Sequence, residues 1–117
     1  MSNISACKAF RAVVARQAPG GRTRQIIVLV KGEVDVATSA HLAAAIARAM
    51  ERQAAGKVDV VIDLTHLRFI DVSGLNVLIQ AARRARAAGG TLVLREPSRH
   101  VRRLLGVLGL DAELAVE

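Results

Sequence analysis

Val58-Asp59-Val60-Val61-Ile62-Asp63-Leu64 begins the stretch that decides the fold, and Phe69-Ile70-Asp71-Val72-Ser73-Gly74-Leu75 ends it. The first segment is a short run of β-branched and aliphatic residues, which in length and composition is a buried strand. Its centre, Val60-Val61-Ile62, is uninterrupted, a pattern that suits a strand covered on both faces. From Gly74 to Ala88 the period changes. Leu75, Leu78, Ile79 and Ala82 recur at helical spacing, with Arg83, Arg84 and Arg86 on the other side. A strand therefore leads into an amphipathic helix, and the junction carries two polar residues and a glycine directly after an apolar pair.

The same alternation extends outward in both directions. Upstream, Gln25-Ile26-Ile27-Val28-Leu29-Val30 is a second β-branched run, centred on Ile26–Val30. Before it, Ala9 to Ala15 suits a first, edge strand, joined through a Pro19-Gly20-Gly21 turn. Lys31-Gly32-Glu33-Val34-Asp35 reads as the turn that ends the second run. Thr38 or Ser39 then caps a helix over Ser39–Ala54, whose apolar face holds Leu42, Ala45, Ile46, Ala49 and Met50, with Gly56 as its C-cap. Downstream, Gly89-Gly90 stops the central helix and Thr91–Leu94 is another strand. Ser98 caps a final helix over Ser98–Leu108, closed by Gly109. Strands separated by helical crossovers form parallel, right-handed βαβ units. The expectation is an α/β chain: one domain over residues 1–117, its core between residues 25 and 111. It has a mixed sheet of four to five strands with α-helices packed against it.

Composition bounds what such a domain can do. With 117 residues and 52% apolar content, the chain has enough material for one core and is not compositionally disordered. Phe10 and Phe69 are its only aromatics, so Ala, Val, Ile and Leu build the interior. The formal charge of +7 is mostly arginine, scattered over the N-terminal segment and two helices. No aromatic platform, zinc pattern or groove-reading motif accompanies it, so direct nucleic-acid binding is not expected. The single cysteine, Cys7, excludes an internal disulfide and a structural zinc cluster. The start of the chain lacks the features of a signal peptide, and no apolar run approaches the roughly 20 residues that span a bilayer. These readings point to a cytoplasmic protein that is not inserted in a membrane.

The junction admits a purely local explanation. Ser73 would be the N-cap, Asp71 a favourable charge at the positive end of the helix dipole, and Gly74 the residue that eases the bend. A nucleophile elbow also places a serine between strand and helix. Here Asp71 and Leu75 stand where its two glycines belong. His41, His66 and His100 have no triad signature around them, and no phosphate-cradling glycine motif occurs. No catalytic residue, metal site or cofactor is expected.

Val61 to Leu75, with its Asp63-Leu64 strand end, Phe69-Ile70 pair and Asp71-Val72-Ser73-Gly74-Leu75, resembles the central signature of the STAS family. Gly32-Glu33-Val34-Asp35 is similar to that family's turn before its first long helix. Gly89-Gly90-Thr91-Leu92 and Arg103-Leu104-Leu105 through Gly109-Leu110-Asp111 resemble its closing strand and helix. The resemblance implies an anti-sigma-factor antagonist that acts by binding rather than catalysis. Its partner would be an anti-sigma factor or related kinase, a phosphatase would reset the switch, and release of the anti-sigma factor's grip would free a sigma factor. Asp35 and Asp71 both follow strands that should be parallel and so lie at the same carboxyl edge of the sheet, where Asp35, Asp71, Val72, Ser73, Gly74 and Asn76 are expected to form the partner-binding loop. In the family the phosphate-accepting serine directly follows the aspartate, and here that position is Val72. Ser73 is the remaining candidate acceptor, so either it is modified or this member is not switched by phosphate. Asn76 also replaces a common glycine. A STAS subunit of another assembly, such as a stress-signalling scaffold or a lipid-transport complex, is the alternative, and a small nucleotide-binding protein or enzyme is the third.

Overall fold

The computed structural model describes residues 10–18, 24–51 and 58–117. Nine elements follow in order: β1 (Phe10–Ala18), β2 (Arg24–Val34), α1 (Ser39–Glu51), β3 (Val58–Asp63), β4 (Leu67–Ile70), α2 (Val72–Ala87), β5 (Thr91–Arg95), α3 (Arg99–Val107) and β6 (Ala115–Val116). Among the described residues the sheet is mixed, as expected, and counts six strands in the order β1-β2-β3-β5-β6, with β4 paired to β2 off that path. β1 runs antiparallel to β2, and every other pairing is parallel. The expected Pro19–Gly21 turn, the Gly56 cap and Cys7 lie outside the described residues.

β2 is the organising strand. Its first half pairs with β3, from Arg24↔Val58 to Leu29↔Asp63. Its second half passes β3 and pairs with β4, at Gly32↔Leu67, Glu33↔Phe69 and Val34↔Ile70. The expected Lys31–Asp35 turn is therefore strand as far as Val34. Turn residues do not end a strand that finds a partner for its ladder, and the glycine is absorbed as an irregularity. Gly32 has φ 84, the register shifts beside it, and its N–H donates to the His66 carbonyl at 3.2 Å.

Alternate strand residues enter one cluster. Ile26, Val28 and Val30 of β2, Val60 and Ile62 of β3 and Leu92 and Leu94 of β5 are all at most 5% exposed. They join Leu42 and Ile46 of α1, Leu75 and Leu78 of α2, and Val101 and Leu105 of α3. Among the described residues the helices thus gather on one face, while Val60, Val61 and Ile62 are buried on both faces of β3, as their uninterrupted run suggested. Val61 points to the opposite face, outside that cluster, yet is buried, flanked in register by Ile27 and Val93.

The helix ends follow local rules. Gly89 (φ 84) and Gly109 (φ 68) each hold the left-handed position that closes a helix. Gly90 N–H reaches the Ala85 carbonyl at 2.8 Å, and Leu110 N–H reaches Leu105 at 2.8 Å, the long bond of a Schellman motif in both cases. Ser98 caps α3, its Oγ accepting from Val101 N–H at 3.2 Å.

Candidate functional site

Register brings the two halves of the candidate loop together. Val34 and Ile70 are paired neighbours on parallel strands, and Asp71 N–H donates to the Val34 carbonyl at 3.1 Å. Asp35 and Asp71 are the next residues on each strand, so both sit at the carboxyl end of the sheet, where α1 and α2 begin. Open α/β sheets place their sites at this edge.

Each aspartate is committed to its own loop. Asp35 Oδ1 accepts from Ala37 N–H at 2.9 Å and from Thr38 N–H at 3.1 Å. Thr38 occupies the position before α1 and is 3% exposed. Its Oγ1 accepts from Asp35 N–H at 3.0 Å, and its hydroxyl hydrogen lies within reach of Asp35 Oδ1 and the Glu33 carbonyl. This reciprocal pair locks the β2–α1 loop with its buried polar groups satisfied.

Asp71, not Ser73, is the N-cap of α2. Its backbone is extended (φ −105, ψ −173) and its carboxylate accepts from Gly74 N–H at 3.1 Å. The helix starts at Val72, two residues before the expected Gly74, because the bond from Asp71 to β2 ends the extended chain at Asp71. Ser73 lies inside the first turn, and its hydroxyl donates to the Asp71 carboxylate. That hydroxyl holds the Asp71 carboxyl below its ordinary value of 3.8; partial burial opposes it, and the Gly74 N–H adds to it. A lowered carboxyl stabilises the fold fully above the ordinary value, and the contribution disappears as pH falls through the lower, folded value. Ser73→Ala is therefore expected to raise the Asp71 pKa toward 3.8 and to move the acid limb of stability upward. A carboxyl NMR titration reads this directly, and an unmoved Asp71 curve would refute the role given to Ser73.

The six residues of the expected partner-binding loop divide by exposure. Val72 is 60% exposed and Asn76 is exposed, Asp35, Asp71 and Ser73 are half-buried, and Gly74 is buried. Gly74 is present for clearance: a Cβ there would lie 2.6 Å from Ile70 Cγ1 and 2.8 Å from Val34 Cγ1. It lets α2 start against the ends of β2 and β4, and so positions Val72 and Asn76. Two further residues at this edge escaped the sequence reading. Val36, directly after Asp35, is 78% exposed, and Phe69 on β4 is 43% exposed. With Val72 they make three of the six large apolar side chains exposed among the described residues. A valine between Asp35 and Ala37 was the available signal for Val36. Phe69 could have been found only by knowing that β4 is a strand whose middle residues face outward. Among the described residues no helix is long and apolar enough to cross a membrane, and no three His, Cys, Asp or Glu side chains gather as metal ligands.

Comparisons with known proteins agree with this architecture. The family model described as "Mlab, STAS domain" matches residues 18–116. BtrV of Bordetella bronchiseptica, a candidate anti-sigma factor antagonist, is 33% identical over 84 residues, covering 72% of this chain and 70% of BtrV. Among solved structures, an anti-sigma factor antagonist from Mycobacterium paratuberculosis superposes with a TM-score of 0.71 at 24% identity, over 94% of this chain and 86% of that one. SpoIIAA of Bacillus, in its phosphorylated form, gives 0.65 at 21%, over 93% and 91%. The matched span runs from the end of β1 to β6 and so contains the Asp35–Asp71 edge, and the chain belongs to the STAS domain family, of the anti-sigma-factor-antagonist type.

Proposed function

We propose that this protein is an anti-sigma-factor antagonist that acts in the cytoplasm by docking an anti-sigma factor on the Asp35–Asp71 edge, without catalysis of its own. The observation that carries this reading is the exposed apolar set of Val36 in the β2–α1 loop, Phe69 on β4 and Val72 at the start of α2, beside aspartates whose carboxylates are already engaged by their own loops. Such an edge is preorganised: its side chains need little ordering on binding, and its aspartates serve the loops rather than a substrate. Apolar residues at the centre of an interface, rimmed by polar ones, supply most of the binding energy. BtrV and SpoIIAA are named as anti-sigma factor antagonists, which supports the same assignment.

Affinity capture with the full chain as bait, followed by identification of the retained protein, tests the proposal. An anti-sigma factor is the expected catch. A membrane ATPase or a signalling scaffold would instead favour a STAS subunit of another assembly.

The edge also supports a reading of regulation. The exposed residue that opens α2, Val72, has no hydroxyl, while Ser73 is half-buried and engaged with Asp71. Phosphoryl transfer needs the accepting oxygen in line with the γ-phosphoryl group, and positioning supplies much of its rate. Docking in the unaltered protein is thus expected not to be switched by phosphate at Ser73, and Val72→Ser is expected to create an acceptor for a partner that is a kinase. Incubation of both forms with partner and ATP, read as added mass, checks this. Stoichiometric modification of Ser73 in the unaltered protein would overturn it.

A further inference from the structure

We infer that the outward face of α3 is a second docking surface, shaped for an acidic segment of another protein. α3 buries Val101 and Leu105, and at 100° per residue Arg99, Arg103 and Gly106 share the opposite side with Arg102 on its flank, all exposed. The arginines of α2 and α3 differ in what they meet. On α2, Arg83 and Arg86 lie 3.4 and 3.3 Å from Glu113, and Arg84 lies 3.9 Å from Glu51. Among the described residues none of the three on α3 has a carboxylate within 4.0 Å, and no acidic residue occurs between Pro97 and Leu110. Arg102 Nε donates to the Pro97 carbonyl at 3.4 Å, which orients its guanidinium without neutralising it.

Two further departures from stability share this surface. Gly106 sits in the helix with nothing within 4 Å of a would-be Cβ and no positive φ, so neither packing nor backbone geometry requires a glycine there. Alanine would hold the helix better. Beside it Val107 is 77% exposed. Unneutralised cations, a bare backbone position and the uncovered Val107 side chain on one face are what a partner's carboxylates, close-lying backbone and apolar contacts would use.

Charge and shape select a protein over the other anionic partners. A duplex binder that makes about 6–10 phosphate contacts needs a wider basic surface, and Arg83, Arg84 and Arg86 of α2 are paired. A helix lying in a membrane inserts its apolar face, and that of α3 is spent in the core. This surface is separate from the Val36–Phe69–Val72 edge and stands whether or not that edge binds an anti-sigma factor.

The test titrates the full, isotope-labelled chain with three probes: a synthetic helical peptide with glutamates three and four residues apart, a duplex DNA, and vesicles containing anionic lipid. The peptide is expected to shift amides confined to Arg99–Val107, with binding that weakens as salt rises. Arg99→Glu with Arg103→Glu is expected to lose at least about tenfold in affinity. Gly106→Leu is expected to lose about tenfold while raising the thermal midpoint, a split that a purely structural glycine would not show. Absence of α3 shifts, tighter binding to duplex or vesicles, or full affinity in Gly106→Leu would each overturn the proposal.

Discussion

Gly74→Ala is expected to destabilise the fold by about 2 kcal/mol, although alanine is the better helix former. The new Cβ would lie 2.6 Å from Ile70 Cγ1, 2.8 Å from Val34 Cγ1 and 2.9 Å from Ile70 Cδ1. Two effects compete. Propensity favours alanine by up to about 1 kcal/mol inside a helix. Overpacking a closed site costs about 1–3 kcal/mol, and this site is closed: Val34 is 0% and Ile70 1% exposed. Both side chains are enclosed in the core, so the strain is expected to move to α2, whose first turn would lift away from β2 and β4. Chemical denaturation should show a lower midpoint with an unchanged slope, which is a loss of stability without a change in the unfolded state. A double-mutant cycle separates this cause from others. Ile70→Ala removes two of the three clashing atoms, so Gly74→Ala should cost much less in that background than alone. Equal costs in the two backgrounds would show that the close approach does not limit the site.

The same close approach explains what could and could not be read from the sequence. β2, β3 and β5 were legible because their residues are β-branched in runs, and α1, α2 and α3 because their apolar residues recur at helical spacing. β4 was not. Four residues with buried ends and exposed middle, Leu67-Arg68-Phe69-Ile70, show neither alternation nor a continuous apolar run, since a register shift in the pairing with β2 breaks the period. Missing β4 made Lys31–Asp35 look like a turn, because nothing local says that β2 will find a second partner. The N-cap was ambiguous for a similar reason. Asp and Ser cap equally well, and the choice of Asp71 is made by its N–H bond to Val34, far away in the chain. The polar half of the candidate site was legible because Asp, Ser and Gly stand out in an apolar sequence. Its apolar half depended on which aliphatic side chains the tertiary structure leaves uncovered.

Val72→Asp is expected to weaken partner binding by roughly 30- to 700-fold, about 2–4 kcal/mol, while leaving the fold as stable as before. The two consequences separate because of where Val72 sits. It is the first residue of α2 and 60% exposed, so its removal opens no cavity. A carboxylate in the first helical turn faces unpaired N–H groups and is favoured there by about 0.3–1 kcal/mol. Repulsion from the nearby Asp71 carboxylate offsets part of that gain, and both groups are solvated. In a complex the balance changes. A partner pocket that received the valine would have to bury a charge with no cation to meet it, and such burial costs several kcal/mol unless the charge is paired. Val36→Asp, at the same edge and directly after Asp35, should behave alike if Val36 and Val72 enter one interface, and the double variant should lose less than the sum. Calorimetric titration with the captured partner, beside a thermal melt of each variant, reads both quantities. An unchanged dissociation constant for Val72→Asp would remove the Asp35–Asp71 edge from the interface. A loss matched by a fallen melting temperature would show that the valine supports the fold rather than the contact.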